Sequence, residues 1–301
     1  NYGATHPGPH YPHGLASVLP FNVAFREGAE NPIEKDAAWN SRGYIYENGF
    51  LTGFSHVNLS GVGCPDLGTI LLMPTHGDLN LDPELYGSTY SEERAMPGYY
   101  TCTLDAYDIK VEATSTVRTG LSRYTFPAGK SHILLNLGLS LTNETGGSLR
   151  IVSPTEVEGH RMIGTFCYNP QDVRPVYFVA RFSEAAESFG GFKTMPAYRG
   201  VEKDWVGYND TIKPYPGYRY ELSGDEVGAY FTFNTEDGDI IEAQVGISYV
   251  SVENARKNLD AEQPSFDFAG VRKANYDQWN KLLGRIQIEA EDDDKTRFYT
   301  A

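Results

Sequence analysis

No stretch of this sequence approaches the roughly 18 consecutive apolar residues that a membrane-spanning helix needs, so no membrane span is predicted. Basic residues are also few, because 25 Lys and Arg stand against 40 Asp and Glu and leave a formal charge of -15 over 301 residues. Phosphate backbones repel such an acidic chain, which argues against nucleic acid as a partner. The composition is that of a globular protein.

Cysteine is scarce as well. Cys64, Cys102 and Cys167 are an odd number, and no two of them have Cys-x-x-Cys spacing. The pattern indicates neither a disulfide framework nor a thiolate zinc site. We therefore predict three structural thiols.

A signal peptide is missing, since residues 1–14 contain neither a basic nor an apolar region. A secreted or periplasmic protein would appear here in its mature form. At the other end, three aspartates at 292–294 would open an aromatic helix, yet the sequence stops at Ala301. We expect a C-terminal domain to follow.

Long helical periodicity is absent between about residues 22 and 249, where short β-rich runs are separated by turn residues such as Glu236-Asp237-Gly238. Eleven or more strands at this spacing predict an all-β fold, a large two-sheet antiparallel β-sandwich. Helical spacing returns after Tyr249. It predicts two C-terminal linker helices, the first capped by Ser251 and the second ending at Gly284, then a short strand at residues 285–290. We place the sandwich at residues 1–250, the two-helix linker at 251–284 and the start of another domain at 285–301.

The densest polar segment runs from Gly53 to Asp66, between two predicted strands. Glycines at 53, 61 and 63 allow close backbone approach, and the short polar side chains supply directional hydrogen bonds, a pattern typical of a polyol-binding loop. The alternative is a structural loop whose side chains bond their own backbone. Trp39 is a weaker candidate, as a stacking wall. The candidate contacts within the segment are Phe54, Ser55, His56, Asn58, Ser60 and Asp66.

Other polar clusters are weaker candidates for a functional site. Ser55 and His56 are adjacent on an extended segment and point to opposite faces, which argues against a Ser-His-Asp triad with Asp66. Three histidines near the start could bind a metal, but their Gly- and Pro-rich context favours a solvated terminus. They are His6, His10 and His13.

Several blocks together resemble the N-terminal domain of glycoside hydrolase family 92. They are residues 53–66, Leu71-Leu72-Met73-Pro74, Pro97-Gly98-Tyr99-Tyr100, residues 245–259 and residues 295–301. Val57-Asn58 stand where the commonest form of the family has Thr-His.

The resemblance implies an exo-acting, calcium-dependent, inverting α-mannosidase, of the α-1,2 type, that hydrolyses mannose-containing glycans. It implies a sandwich and linker followed by an (α/α)6 barrel, with the substrate pocket where the two domains meet. The general acid, the general base and most calcium ligands would lie on that barrel, beyond Ala301. This chain would supply one wall of the pocket but no catalytic or metal-ligating residue, and it would have no activity alone. The whole enzyme would be secreted or periplasmic and bacterial.

Two alternatives remain at this point. The chain could be a non-catalytic carbohydrate-binding module. It could also be an aldose-mutarotase-like enzyme, which needs a histidine and a carboxylate on one concave sheet; His132 and His160 are the histidines that fall within clear strands.

Overall fold

The computed structural model describes residues 6–24, 43–59, 64, 66–141, 144–164, 167, 169, 171–195 and 211–300. Two antiparallel sheets stack face to face, which confirms the predicted sandwich. Within the described ranges the first sheet has seven strands, in the order β1 (Leu19–Phe21), β3 (Gly53–Asn58), β4 (Leu67–His76), β9 (Gly129–Asn136), β16 (Val227–Thr235), β13 (Ser188–Thr194) and β14 (Ile212–Pro216).

The second sheet has ten strands among the described residues. Their order is β15 (Leu222–Gly224), β10 (Glu144–Ser153), β11 (Glu156–Ile163), β12 (Arg174–Phe182), β17 (Asp239–Ser248), β8 (Thr119–Phe126), β7 (Ile109–Ser115), β6 (Tyr99–Leu104), β5 (Ser88–Met96) and β2 (Phe50–Leu51).

The core lies between the sheets and follows from period-2 alternation in the strands. In β11 every second side chain, from Val157 to Ile163, is buried. Across the interface, Phe54 of β3 meets Tyr100 of β6 edge to face, with 6.2 Å between ring centroids. The inner face of β3 is therefore packed against the second sheet.

The two predicted C-terminal helices are present, and they pack on the outer face of the ten-stranded sheet. In α2 (Val252–Glu262), the Ser251 hydroxyl accepts a hydrogen bond from the amide of Asn254, and Leu259 packs near Val179 of β12. In α3 (Phe268–Leu283), Asp267 caps the first turn and Gly284 follows the last. Two further helices are α1 (Pro83–Tyr86) and α4 (Asp292–Thr300). None of the helices in the described part combines the length and apolarity needed to cross a bilayer.

Residues 285–290 do not form the predicted strand. The amide of Arg285 bonds the carbonyl of Leu282, so the chain continues the helical turn, and no strand among the described residues pairs with this segment. Alternation of side chains does not by itself make a strand, because a strand also needs a partner to pair with.

The prediction of three structural thiols is wrong for two of them. Cys64 and Cys167 form a disulfide, with 4.7 Å between their Cα atoms and a sequence separation of 103. The fold brings the segment after β3 beside the segment after β11, a proximity that cysteine spacing cannot show. Cys102 alone is a buried thiol, and burial raises its pKa to about 12.

The two histidines that were predicted to fall within strands do so, but His56 of β3 and His76 of β4 also lie in strands, and the two predicted ones are on different sheets. His132 belongs to β9 of the seven-stranded sheet and His160 to β11 of the ten-stranded sheet. They do not converge on one concave surface, so the arrangement that a mutarotase-like enzyme requires is not formed by these two residues.

Candidate functional site

The predicted polyol-binding segment, residues 53–66, is not all loop: its first six residues form strand β3, and the remainder is the connection to β4, here called the β3–β4 loop (residues 59–66), of which residues 59, 64 and 66 are described. Beside it the pairing of the two strands shifts, because Val57 faces Thr69 while Asn58 faces Leu67. The extra residue is Gly68, whose φ of +66° suits a bulge.

His56 points inward from β3 and is fully buried. Its Nδ1 donates to the carbonyl of Ile70 at 2.8 Å. A Cβ at Gly120 of β8 would lie 2.8 Å from the ring, so glycine is what allows the opposite sheet to approach. Desolvation lowers the pKa of His56 to about 4, which keeps the imidazole neutral near pH 7.

Ser55 and Asn58 form a short hydrogen-bond chain on β3. The Ser55 hydroxyl donates to Asn58 Oδ1 at 2.8 Å, and Asn58 Nδ2 donates to the Ser17 hydroxyl at 3.0 Å. Ser55 is fully buried, whereas Asn58 is half-buried. Since the Ser55 hydroxyl is engaged by Asn58 rather than by His56, no catalytic triad is formed here.

Three links hold the β3–β4 loop to its surroundings. His6 Nε2 bonds the carbonyl of Leu59. Buried Asp66 accepts a hydrogen bond from the amide of Cys167 at 2.8 Å, and the disulfide joins Cys64 to the same residue. The loop is therefore fixed at its beginning and at its end.

The backbone beside these links is strained. Leu67, Ile70 and Cys167 have φ values of +70°, +58° and +55°, in the left-handed region that side chains with a Cβ rarely adopt. Such residues persist where surrounding contacts over-determine the backbone, and they concentrate at functional sites.

The residues predicted as sugar contacts differ in how accessible their side chains are. Phe54 lies in the core, and Ser55, His56 and Asp66 are fully buried within hydrogen-bonded surroundings, so their side chains are not open to a ligand in this conformation. Asn58 is the candidate with partial access to solvent. Ser60 and Trp39 lie outside the described residues. As sugar contacts, all of these residues remain predictions.

Sequence reasoning missed the residues that hold the loop. Ser17, His6 and Cys167 lie 41, 53 and 103 residues from their respective partners Asn58, Leu59 and Cys64. No local pattern marks them, because these contacts depend on which loops meet at one end of the sandwich.

The described residues do not fit calcium. Their cluster of potential ligands is Cys64, Asp66 and Cys167, whose ligand atoms lie within 4.8 Å of one another. Calcium takes six to eight oxygen ligands. One carboxylate and two sulfurs joined as a disulfide do not provide such a site.

Family models match the chain in two consecutive parts. The glycosyl hydrolase family 92 N-terminal domain matches residues 1–248, and the glycosyl hydrolase family 92 catalytic domain matches residues 254–301. The first match covers the sandwich, and the second begins in α2.

Solved structures and a curated sequence agree with these matches. A family GH92 α-mannosidase from Bacteroides thetaiotaomicron superposes with a TM-score of 0.81 and 28% identity, over 100% of this chain and 38% of that one. Its complex with mannoimidazole superposes with a TM-score of 0.77 and 27% identity, over 96% of this chain and 36% of that one. A protein named "uncharacterized secreted glycosidase", from Arthroderma benhamiae, is 25% identical over 96% of this chain and 37% of its own length. The chain thus spans under two fifths of these relatives.

Proposed function

Because the chain belongs to glycosyl hydrolase family 92, we propose that it forms one wall of the substrate pocket of an exo-acting α-mannosidase. The proposed substrate is an α-1,2-linked mannose at the end of a glycan. The observation that carries this proposal is the superposition, along the whole chain, on an α-mannosidase that has also been solved with mannoimidazole.

The N-terminal segment connects the β3–β4 loop with the part that matches the catalytic domain. His6 bonds the carbonyl of Leu59 in the loop, and four residues later the carbonyl of His10 accepts a hydrogen bond from the Trp279 indole of α3 at 2.6 Å. The loop and α3 therefore lie on either side of one short segment. This supports a pocket wall near the junction of the two domains.

The start of the catalytic-domain match is also held firmly on the sandwich. Asn275 of α3 is fully buried and donates to the carbonyl of Ser115 at 2.8 Å. A Cβ at Gly98 would lie 2.7 Å from the Asn275 side chain, so the helix approaches the sheet closely. We propose that residues 251–284 act as a linker that orients a catalytic barrel beginning near residue 285.

We propose further that hydrolysis is inverting and depends on calcium, with the acid, the base and the metal ligands on the catalytic domain. An inverting enzyme needs two carboxyl groups roughly 6.5–9.5 Å apart, so that a water molecule fits between them. The described residues do not fit calcium, and calcium removal should abolish activity of the full-length protein while leaving the sandwich folded.

We propose secretion or periplasmic export. The Cys64–Cys167 disulfide fits an oxidising compartment. The Arthroderma benhamiae relative is named as a secreted glycosidase, which agrees with this location.

Activity is tested with the full-length protein and α-1,2-mannobiose, with NMR of the first product to read its anomeric configuration. We expect β-mannose to appear first, and no turnover by residues 1–301 alone. Release of α-mannose would contradict inversion, and no hydrolysis of any α-mannoside would contradict the function. Mannose binding by residues 1–301 without hydrolysis by the full-length protein would indicate a carbohydrate-binding module instead.

The pocket wall is tested with Asn58→Ala in the full-length protein. If Asn58 contacts the sugar, kcat/KM should fall by about tenfold or more, the effect of losing a hydrogen bond that strengthens in the transition state. Ser17→Ala is the matched control, because it removes the hydroxyl that accepts from Asn58 Nδ2. Equal losses in both variants would mean that Asn58 only positions the loop.

A further inference from the structure

A groove of about 430 Å³ lies between the start of α3 and the outer face of the ten-stranded sheet. Its volume falls within the range of small-molecule sites. None of its residues belongs to the β3–β4 loop. Aromatic rings and cations form its walls: Tyr99, Arg123, Phe268, Arg272, Lys273 and Tyr276.

Two of the three cations are already paired. Arg123 lies 2.8 Å from Glu242, and Lys273 lies 2.5 Å from Asp277. Arg272 forms no ion pair with any carboxylate of the described residues. In a chain with a formal charge of -15, the groove thus contains one uncompensated guanidinium.

The position of Arg272 is fixed by an aromatic ring rather than by an acid. Its guanidinium carbon lies 3.6 Å from the centroid of Tyr99. The Tyr99 hydroxyl donates to Glu112 at 2.6 Å, and Lys110 lies 3.6 Å from the same carboxylate. The Glu112 carboxylate is thus bound by the Tyr99 hydroxyl and by Lys110. The N–H groups of Arg272 therefore remain available for a ligand.

Aromatic surface is available beside this cation. Tyr276, one α-helical turn after Arg272, is 51% exposed, whereas the Phe268 ring is covered by the Arg123 guanidinium at 4.5 Å. An exposed ring next to a free guanidinium can bind a ligand that has an apolar face and one negative group.

We propose that this groove binds a sugar unit that carries one phosphate or carboxylate group. The anion bonds Arg272, and the sugar ring packs against Tyr276. The negative charge follows from the groove itself, while the choice of a sugar rests on the proposed function.

The test is calorimetric titration of the full-length protein with mannose 6-phosphate and, separately, with glucuronic acid, mannose and inorganic phosphate. We expect saturable binding of at least one anionic sugar and weaker binding of mannose and of phosphate alone. Arg272→Gln should reduce the affinity for the anionic sugar tenfold or more, since charge-assisted hydrogen bonds are lost. Tyr276→Ala should reduce it several-fold.

The control is Arg219→Gln, because Arg219 also stacks on an aromatic ring, 5.0 Å from Phe189, on the other sheet. It should leave the affinity unchanged, and all three variants should keep the melting temperature. Binding that survives Arg272→Gln would place the ligand elsewhere and overturn the proposal. So would the failure of both anionic sugars to bind. Mannoside hydrolysis measured on the same samples separates this failure from failure of the proposed function.

Discussion

The β3–β4 loop and the helix-covered face of the ten-stranded sheet are both well anchored, but by different forces. The loop is held by a disulfide, a buried carboxylate and its link to the strand that carries buried His56. The helix-covered face also has buried contacts, such as Leu259 against Val179 and the Asn275 hydrogen bond, but it adds ion pairs at partly exposed positions, such as Arg256 with Glu156 at 2.7 Å. Strained backbone occurs beside the loop, where the restraints are covalent or buried.

The two kinds of contact differ in their sensitivity to salt. Covalent links and buried groups are insensitive to salt, whereas charges near the surface are screened within about 10 Å at 0.1 M salt. We expect variants at the loop to have large effects at any ionic strength, and variants of the ion pairs at the helix face to have small effects that decline with salt.

The largest effect should come from the disulfide. Cys64→Ser combined with Cys167→Ser releases a crosslink that spans 103 residues, and loop-closure entropy assigns such a link about 4.7 kcal/mol. We expect a loss of about 3–5 kcal/mol in the free energy of unfolding, measured by urea titration of the full-length protein.

Cys102→Ala is the control for this experiment, because it removes a buried thiol that forms no crosslink. It should cost less than the double serine variant, and a reducing agent should destabilise it as much as it destabilises the wild type. If the wild type shows no response to reduction, the disulfide is not what restrains the loop.

The second effect concerns His56. His56→Ala leaves a cavity between the sheets and removes the donor to the Ile70 carbonyl, so we expect a loss of about 2–5 kcal/mol. His76→Ala is the matched control, since His76 is half-buried on the neighbouring strand and bonds the Ser131 hydroxyl. Equal losses in the two variants would remove the distinction between buried and peripheral positions on this sheet.

Much of the fold follows from the sequence, because strand alternation, turn residues and helix caps are local signals. Ser251 and Gly284 marked helix ends that the structure confirms. Local alternation failed at residues 285–290, which pair with no strand among the described residues.

The candidate site was only partly predictable. The composition of residues 53–66 pointed to a polar loop, yet polarity does not reveal burial, and His56 proved to be 0% exposed. Cys64 lies within that segment, but its partner Cys167 comes from another loop 103 residues away. Contacts of this kind are set by topology, which the residue types near each position do not encode.

The third effect is a pH dependence of stability. In the folded state the pKa of His56 is about 4, below its ordinary value of 6.5, because burial penalises the charged form. The unfolded chain therefore binds more protons between these values, so this stability is complete above about pH 6.5 and falls as the pH drops toward 4. From pH 6.5 to 5, His56 should account for a loss of about 1.5 kcal/mol.

Three other histidines add to this trend. Burial also lowers the pKa values of His10, His132 and His160. Urea unfolding at pH 7, 6 and 5 should show stability decreasing at each step. An unchanged midpoint between pH 7 and 5 would mean that these imidazoles are open to solvent.

The smallest effect should come from the helix face. Glu156 bonds Arg256 of α2 at 2.7 Å and Arg181 of β12 at 2.5 Å, and both guanidiniums are about one quarter to one third exposed. Glu156→Gln should cost about 1 kcal/mol at low salt, because solvent screens the pairs, and less at 0.5 M NaCl. Asp172→Asn removes an exposed pair with Arg174 and should have no measurable effect. A Glu156→Gln loss as large as that of the double serine variant, or one that does not respond to salt, would show that the helix face is anchored as firmly as the loop.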